Sequence, residues 1–265
     1  MFKNLTIGQH YPIDSPVHDL DPRVKIIITF VYIISLFVIN IFPAYILVVL
    51  FLALAISASK VPIKFVIKGL KPILLIILIT FFINLFLTPG EVILKVFFLK
   101  ITREGVYQAT FMAIRLVLLI LGTSLLTLTT SPILLTDGIE SLLNPFKKIG
   151  LPAHELAMMM TIALRFIPTL MEETEKIMKA QKARGADFES GNIIKRAKNL
   201  VPLLVPLFIS AFRRADELAM AMESRCYRGG ENRTRMRQLV LRKGDYIASI
   251  IFIIYMAAII VIRVC

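Results

Sequence analysis

Residues Ile26 to Phe42 contain no charged side chain, and neither do Ala44 to Ser59, Ile73 to Thr88 or Tyr246 to Ile262; Val106 to Thr130 contains only Arg115. A helix needs about 20 apolar residues to cross the roughly 30 Å hydrocarbon layer of a bilayer. Five such runs in one chain exclude an ordinary water-soluble domain and predict a polytopic membrane protein. Composition agrees: 57% of residues are hydrophobic and the mean hydropathy is +0.77, against roughly 45–50% apolar residues in soluble domains. Yet the formal charge is +13, with 31 Lys and Arg against 18 Asp and Glu. A chain both very apolar and very basic separates the two properties in space, with the basic part facing the cytoplasm and its anionic leaflet. No nucleic-acid-binding signature accompanies the charge, so the bilayer and not nucleic acid is the expected partner.

The charge has a definite address. Residues 131–244 hold 19 Lys/Arg and 12 Asp/Glu, and Lys60, Lys64, Lys68 and Lys71 form an acid-free loop between the second and third runs. With four crossings before residue 131, both basic stretches fall on the cytoplasmic side together with the N-terminus, while Glu91–Gly105 and Cys265 fall outside. This count requires a tight turn at Asn40–Pro43 in place of one long helix kinked at Pro43. The expected organisation is a cytoplasmic N-terminal segment (1–25), transmembrane helices 1 to 4 (26–130), cytoplasmic-side helices (131–244) and a C-terminal transmembrane helix (245–265). The polar first 25 residues lack the apolar core of a cleavable signal, so the first membrane helix is expected to serve as an uncleaved one.

Within 131–244 the periodicity is that of amphipathic helices. One stripe runs Ile167, Leu170, Met171, Thr174, Ile177, Met178; another runs Phe208, Ala211, Phe212, Ala215, Leu218, Ala219, Met222. The methionines suit a surface that adapts to several partners, and equally suit internal packing. Arg115 has two readings: a buried partner for a polar group such as Asn84, or a long side chain snorkelling to the surface.

The catalytic motifs one would look for are missing. There is no Gly-rich phosphate loop ending in Gly-Lys-Ser/Thr, so ATP hydrolysis by this chain is not expected. His154-Glu155 lacks the second His of a zinc-protease helix, the three histidines are scattered, and two cysteines make neither a disulfide framework nor a metal site. No catalytic residue, metal site or cofactor is expected in this chain. A self-sufficient secondary transporter or channel would show intramembrane charges or broken helices in paired halves, and an intramembrane enzyme would show paired ionisable groups; these are the rival readings.

Three passages carry a family resemblance. Ser15-Pro-Val-His18-Asp19-Leu-Asp21-Pro22-Arg23-Val-Lys25 precedes the first membrane helix. Leu126-Thr-Leu-Thr-Thr130-Ser-Pro132 leaves the fourth and is followed by Gly138-Ile-Glu140 and Asn144-Pro145. Arg165-Phe-Ile-Pro168, Glu172 and Ala180-Gln181-Lys-Ala183-Arg184-Gly185 lie on the first long amphipathic helix. With Ser224-Arg225-Cys226-Tyr-Arg-Gly-Gly230 they span nearly the whole chain, and it resembles the T components (EcfT) of energy-coupling factor (ECF) transporters. The resemblance implies an all-α membrane protein with about five spanning helices and about three amphipathic cytoplasmic coupling helices. It implies a non-catalytic subunit of an ABC-type importer of vitamins or other micronutrients. Its implied partners are two ABC-type ATPase subunits, which bind the ATP, and a membrane-embedded substrate-binding S component.

In that family each of two Ala-Arg-Gly motifs engages one ATPase. Here the first is Ala183-Arg184-Gly185 and the second reads Ser224-Arg225-Cys226, keeping only the Arg. A guanidinium fork matches partner carboxylates, and Gly tolerates the left-handed conformation that ends a helix. Arg followed by Gly is also ordinary helix capping, and Gly229-Gly230 offers the second helix an alternative stop. Met171, Met178, Phe212, Ala215, Leu218, Ala219 and Met222 are the candidate S-component contacts.

Overall fold

Backbone in hydrocarbon must satisfy its own N–H and C=O groups, and uncharged runs do so as helices. The computed structural model describes residues 10–96, 99–188, 190, 192–230 and 238–264. Among them the order is α1 (Pro22–Val38), α2 (Phe42–Ser59), α3 (Ile63–Lys68), α4 (Leu74–Leu87), β1 (Val92–Val96), β2 (Leu99–Thr102), α5 (Arg103–Thr129), α6 (Pro132–Leu143), a 3-10 turn Asn144–Ile149, α7 (Ala153–Ala183), α8 (Ile193–Glu223) and α9 (Lys243–Val264). The chain is an all-α membrane protein apart from one small hairpin. α2, α5 and α9 (over Lys243–Ile262) are long and apolar enough to cross a membrane. α1, with 17 residues, and α4, with 14, are shorter. Backbone bonds from Leu70 to Ile67 and from Ile73 to Leu70 carry α3 through tight turns into α4.

The run from Ile26 to Ser59 is two helices. α1 ends at Val38, Ile39 and Ile41 are extended, and Pro43 sits in the first turn of α2, where its missing N–H costs nothing. The Glu91–Gly105 segment, expected only as an amphipathic outer loop, contains the antiparallel pair β1–β2. Thr102 then caps α5, its Oγ1 accepting from Gly105 N at 3.0 Å.

Two compact units emerge. One is formed by the described residues of 8–142 and 237–265, the other by those of 143–230. α6, read from charge as part of the 131–244 segment, groups with the first unit. There its Gly138 lies so close to α1 that a Cβ would come within 3.0 Å of Ile26 and 3.1 Å of Pro22.

The core of the first unit joins α1, α2, α5 and α9 through Tyr32, Leu36, Tyr45, Val48, Phe111, Leu118, Phe252 and Tyr255. Two of the hydroxyl groups buried in this core are paired, as a low-dielectric surrounding favours: Tyr32 donates to Leu118 O at 2.9 Å, and Ser35 lies 3.2 Å from the Tyr255 hydroxyl. The outer faces stay apolar, with Phe30 64% exposed and Leu87 74% exposed, as expected where lipid is the solvent.

The Ser15–Lys25 passage is a polar knot at one end of this unit. Asp21 caps α1 by accepting from the Arg23 backbone at 2.9 Å and from its guanidinium at 2.8 and 3.0 Å. Its own N–H donates to Asp245 Oδ1 at 2.6 Å, while Asp245 Oδ2 accepts from Arg242 N at 2.7 Å and so opens α9. Lys25 Nζ donates to His18 O and Thr129 O, both at 3.0 Å, and Tyr11 N donates to Leu128 O at 2.9 Å. Burial pushes the Asp21 carboxyl up, but the Arg23 hydrogen bonds and charge outweigh it and hold the carboxyl below its ordinary value.

Candidate docking surface

α7 and α8 are 31 residues each, about 46 Å at 1.5 Å per residue, and both continue through internal prolines: Pro168 in α7, Pro202 and Pro206 in α8. They pack antiparallel. Gln181, near the end of α7, donates to Pro202 O in the first third of α8 at 3.3 Å; earlier in α7, Glu173 pairs with Arg214, later in α8, at 3.2 Å. The neighbouring Ser210 hydroxyl and the Arg214 guanidinium hold the Glu173 carboxyl below its ordinary value.

The two Arg motifs end these helices in the same way. Gly185 has φ +86; its N–H donates to Lys182 O at 3.0 Å and the Ala186 N–H to Gln181 O at 2.9 Å. Cys226 has φ +54; its N–H donates to Glu223 O at 2.8 Å and the Tyr227 N–H to Met222 O at 3.0 Å. Both are Schellman caps with a left-handed residue directly after the Arg. The stop therefore sits on Cys226 itself and not on Gly229-Gly230, although a side chain in that conformation is disfavoured. Ala183, Arg184, Gly185, Ser224, Arg225 and Cys226 are all exposed, and neither guanidinium has a partner among the described residues.

Although about 40 residues apart in sequence, the motifs do not sit together. The residue after the second, Tyr227, places its hydroxyl 3.2 Å from Nε2 of His154, the second residue of α7, and Gly230 lies where a Cβ would meet that ring at 2.4 Å. The second motif thus flanks the start of α7 and the first forms its end.

Of the candidate S-component contacts, Phe212 is 68% exposed, Ala215 and Ala219 are exposed, and Met171, Met178, Leu218 and Met222 are half-buried. Upstream of Phe212, sequence reasoning passed over the exposed apolar side chains Val201, Leu204, Val205 and Ile209. Leu203 is buried, whereas Val201, Leu204 and Val205 beside it are exposed. The signal was present in the uncharged, mostly apolar run between Lys198 and Arg213, whose near-continuous apolar character hides the face assignment.

Arg115 is 9% exposed and does not snorkel. Its Nη2 donates to Ile39 O at 2.8 Å, its Nε to the Tyr45 hydroxyl at 3.2 Å, and its guanidinium carbon lies 4.9 Å from the centre of the Phe111 ring. Asn84 is not its partner: that amide donates to Thr80 O at 2.8 Å, one turn back on its own helix. Arg115 instead satisfies a carbonyl freed by the break between α1 and α2. Among the described residues no group of three or more His, Cys, Asp or Glu is placed to hold a metal ion. Cys265 lies outside the described residues.

The cobalt transport protein family CbiQ matches residues 14–236. The energy-coupling factor transporter transmembrane protein EcfT of Clostridium kluyveri is 64% identical over 252 residues, 94% of this chain and 93% of that protein. The EcfT protein of Thermosediminibacter oceani is 62% identical over 248 residues, 94% of each chain, and that of Bacillus subtilis is 52% identical over 259 residues, 97% of each.

Proposed function

This chain belongs to the CbiQ family of cobalt transport proteins and is a transmembrane component of an energy-coupling factor transporter, and from that premise we propose that it is the coupling subunit linking two ABC-type ATPases to a substrate-binding S component. The observation that carries this reading is the pair of exposed, unpaired arginines, Arg184 and Arg225. Identical caps hold them at opposite ends of an antiparallel helix pair. Each guanidinium presents a fork to partner carboxylates, and the length of α7, about 46 Å, gives each its own docking partner. The ATPases bind and hydrolyse ATP; this chain transmits the movement and catalyses no reaction itself. The S component lies against Met171, Met178, Phe212, Ala215, Leu218, Ala219 and Met222, and its identity sets which vitamin or other micronutrient enters.

In the proposed orientation the chain crosses the cell membrane five times through α1, α2, α4, α5 and α9. The N-terminus and the 131–244 segment are cytoplasmic, and the C-terminus is external. Affinity purification of the tagged chain from mild detergent tests the function. The expected result is co-purification of two ATPase subunits with one small membrane protein. Substrate uptake by liposomes containing this chain alone would instead make it a self-sufficient transporter or channel.

A further inference from the structure

The first unit holds a partly open cavity of about 690 Å³ between α1, α2, α5, α9 and the N-terminal segment, within the usual range for a ligand pocket of roughly 300–1,000 Å³. Small residues create it: Ala55 and Ala58 on α2, Gly122 on α5, Gly244 and Ala248 on α9. Gly122 sits against Tyr32 so closely that a Cβ would meet the ring at 2.3 Å, so the helices cannot close further there. The walls are almost wholly apolar, which disfavours water as the filling. A partly open, apolar cleft of this size between membrane helices is suited to an apolar occupant.

One charged side chain lines the cavity, Lys25, and it is only 6% exposed. An ammonium carries three N–H donors, and two are used on the carbonyls of His18 and Thr129. Asp19, Asp245 and Asp21 all act on it electrostatically, but Asp21 is occupied by Arg23 and Asp245 by two backbone N–H groups, and Lys25 makes no ion pair among the described residues. Beyond Ala58 in the chain, Lys60 and Lys64 are both exposed, and lysines at a membrane surface attract anionic lipid. An apolar chamber with one spare cationic donor at its polar end has the chemistry of an anionic phospholipid: acyl chain inside, phosphate at Lys25.

We propose that this cavity is a binding site for one anionic phospholipid, drawn from the leaflet on the side of the N-terminal segment. The test is native mass spectrometry of the full-length chain titrated with phosphatidylglycerol or phosphatidylcholine. One phosphatidylglycerol is expected to bind about tenfold more tightly than phosphatidylcholine, the size of one charge-assisted hydrogen bond. Lys25→Met should remove that preference and Lys25→Arg should keep it. Because Lys25 also satisfies two carbonyls, Ala55→Phe and Ala248→Phe serve as independent variants that fill the chamber and leave Lys25 in place; both should abolish the tight site. Equal affinity for the two lipids in the wild type, or an unchanged tight site in the filled variants, overturns the proposal.

Discussion

The Tyr227 hydroxyl meets Nε2 of His154 at 3.2 Å, tying the chain just beyond α8 to the first turn of α7. This contact fixes where Arg225 stands, because only one residue separates Arg225 from Tyr227. Tyr227→Phe removes the hydrogen bond and keeps the ring, at a cost of about 0.5–1.5 kcal/mol. The expected outcome is faster hydrogen exchange at residues 224–230 with unchanged exchange in the middle of α7.

Arg184→Glu together with Arg225→Glu should detach the ATPases and abolish uptake, while each single change weakens transport and leaves some assembly. Truncating one member of a buried, hydrogen-bonded charge pair at an interface costs about 2–5 kcal/mol, whereas a lost helix-end interaction costs only about 0.3–1 kcal/mol. Co-purification of ATPases with the double variant separates the two: full retention would reduce both arginines to helix caps.

Cys226→Gly should raise stability. An L-residue in the left-handed conformation costs roughly 1–2 kcal/mol, and Gly relieves it at a position that already has the left-handed φ. Gly185→Val should lower stability by a similar amount or more, since valine is β-branched. Opposite shifts in thermal unfolding of the purified complex check the pair.

Glu173 supplies a pH-dependent lock between α7 and α8. Its carboxyl is held below its ordinary value near 4.5, so its contribution is fully present above that value and is lost as pH falls through the lowered one. The wild type should lose more thermal stability than Glu173→Gln between pH 6 and pH 3, roughly the range that brackets a carboxylate titration. Equal losses would mean that the Arg214 contact contributes nothing.

A single cysteine at Lys64 should be protected from an impermeant thiol reagent in intact cells and become reactive after permeabilisation. Labelling in intact cells would invert the orientation argued from the basic loops.

Legibility in the sequence followed the range of each interaction. The uncharged runs, the break before Pro43 and the long amphipathic helices are local patterns, and they could be read directly. The β1–β2 hairpin was missed because Val92–Thr102 mixes apolar and charged residues with only weak alternation, and so read as an amphipathic outer loop. The partner of Arg115 stayed open for a geometric reason: Asn84 and Arg115 both lie in apolar runs, but a one-dimensional pattern does not give the rotation of one helix against another. Arg115 faces α1 and α2, where Ile39 and Tyr45 lie. At the second Arg motif, losing the glycine argued for a later stop. Tertiary and capping bonds nonetheless hold Cys226 in the conformation that glycine would take.

The bond from Asp21 to Asp245 spans 224 residues, and protein synthesis runs in one direction. At roughly 5–20 residues per second, the first membrane helix waits on the order of 10–45 s for the carboxylate that completes its cap, and in that interval α7 and α8 have already left the ribosome. The bond that completes the α1 cap is therefore among the last to form, after α7 and α8 have been made. A chain cut short before α9 lacks Asp245, so the Asp21 N–H loses its partner and the N-terminal knot stays untied at that point.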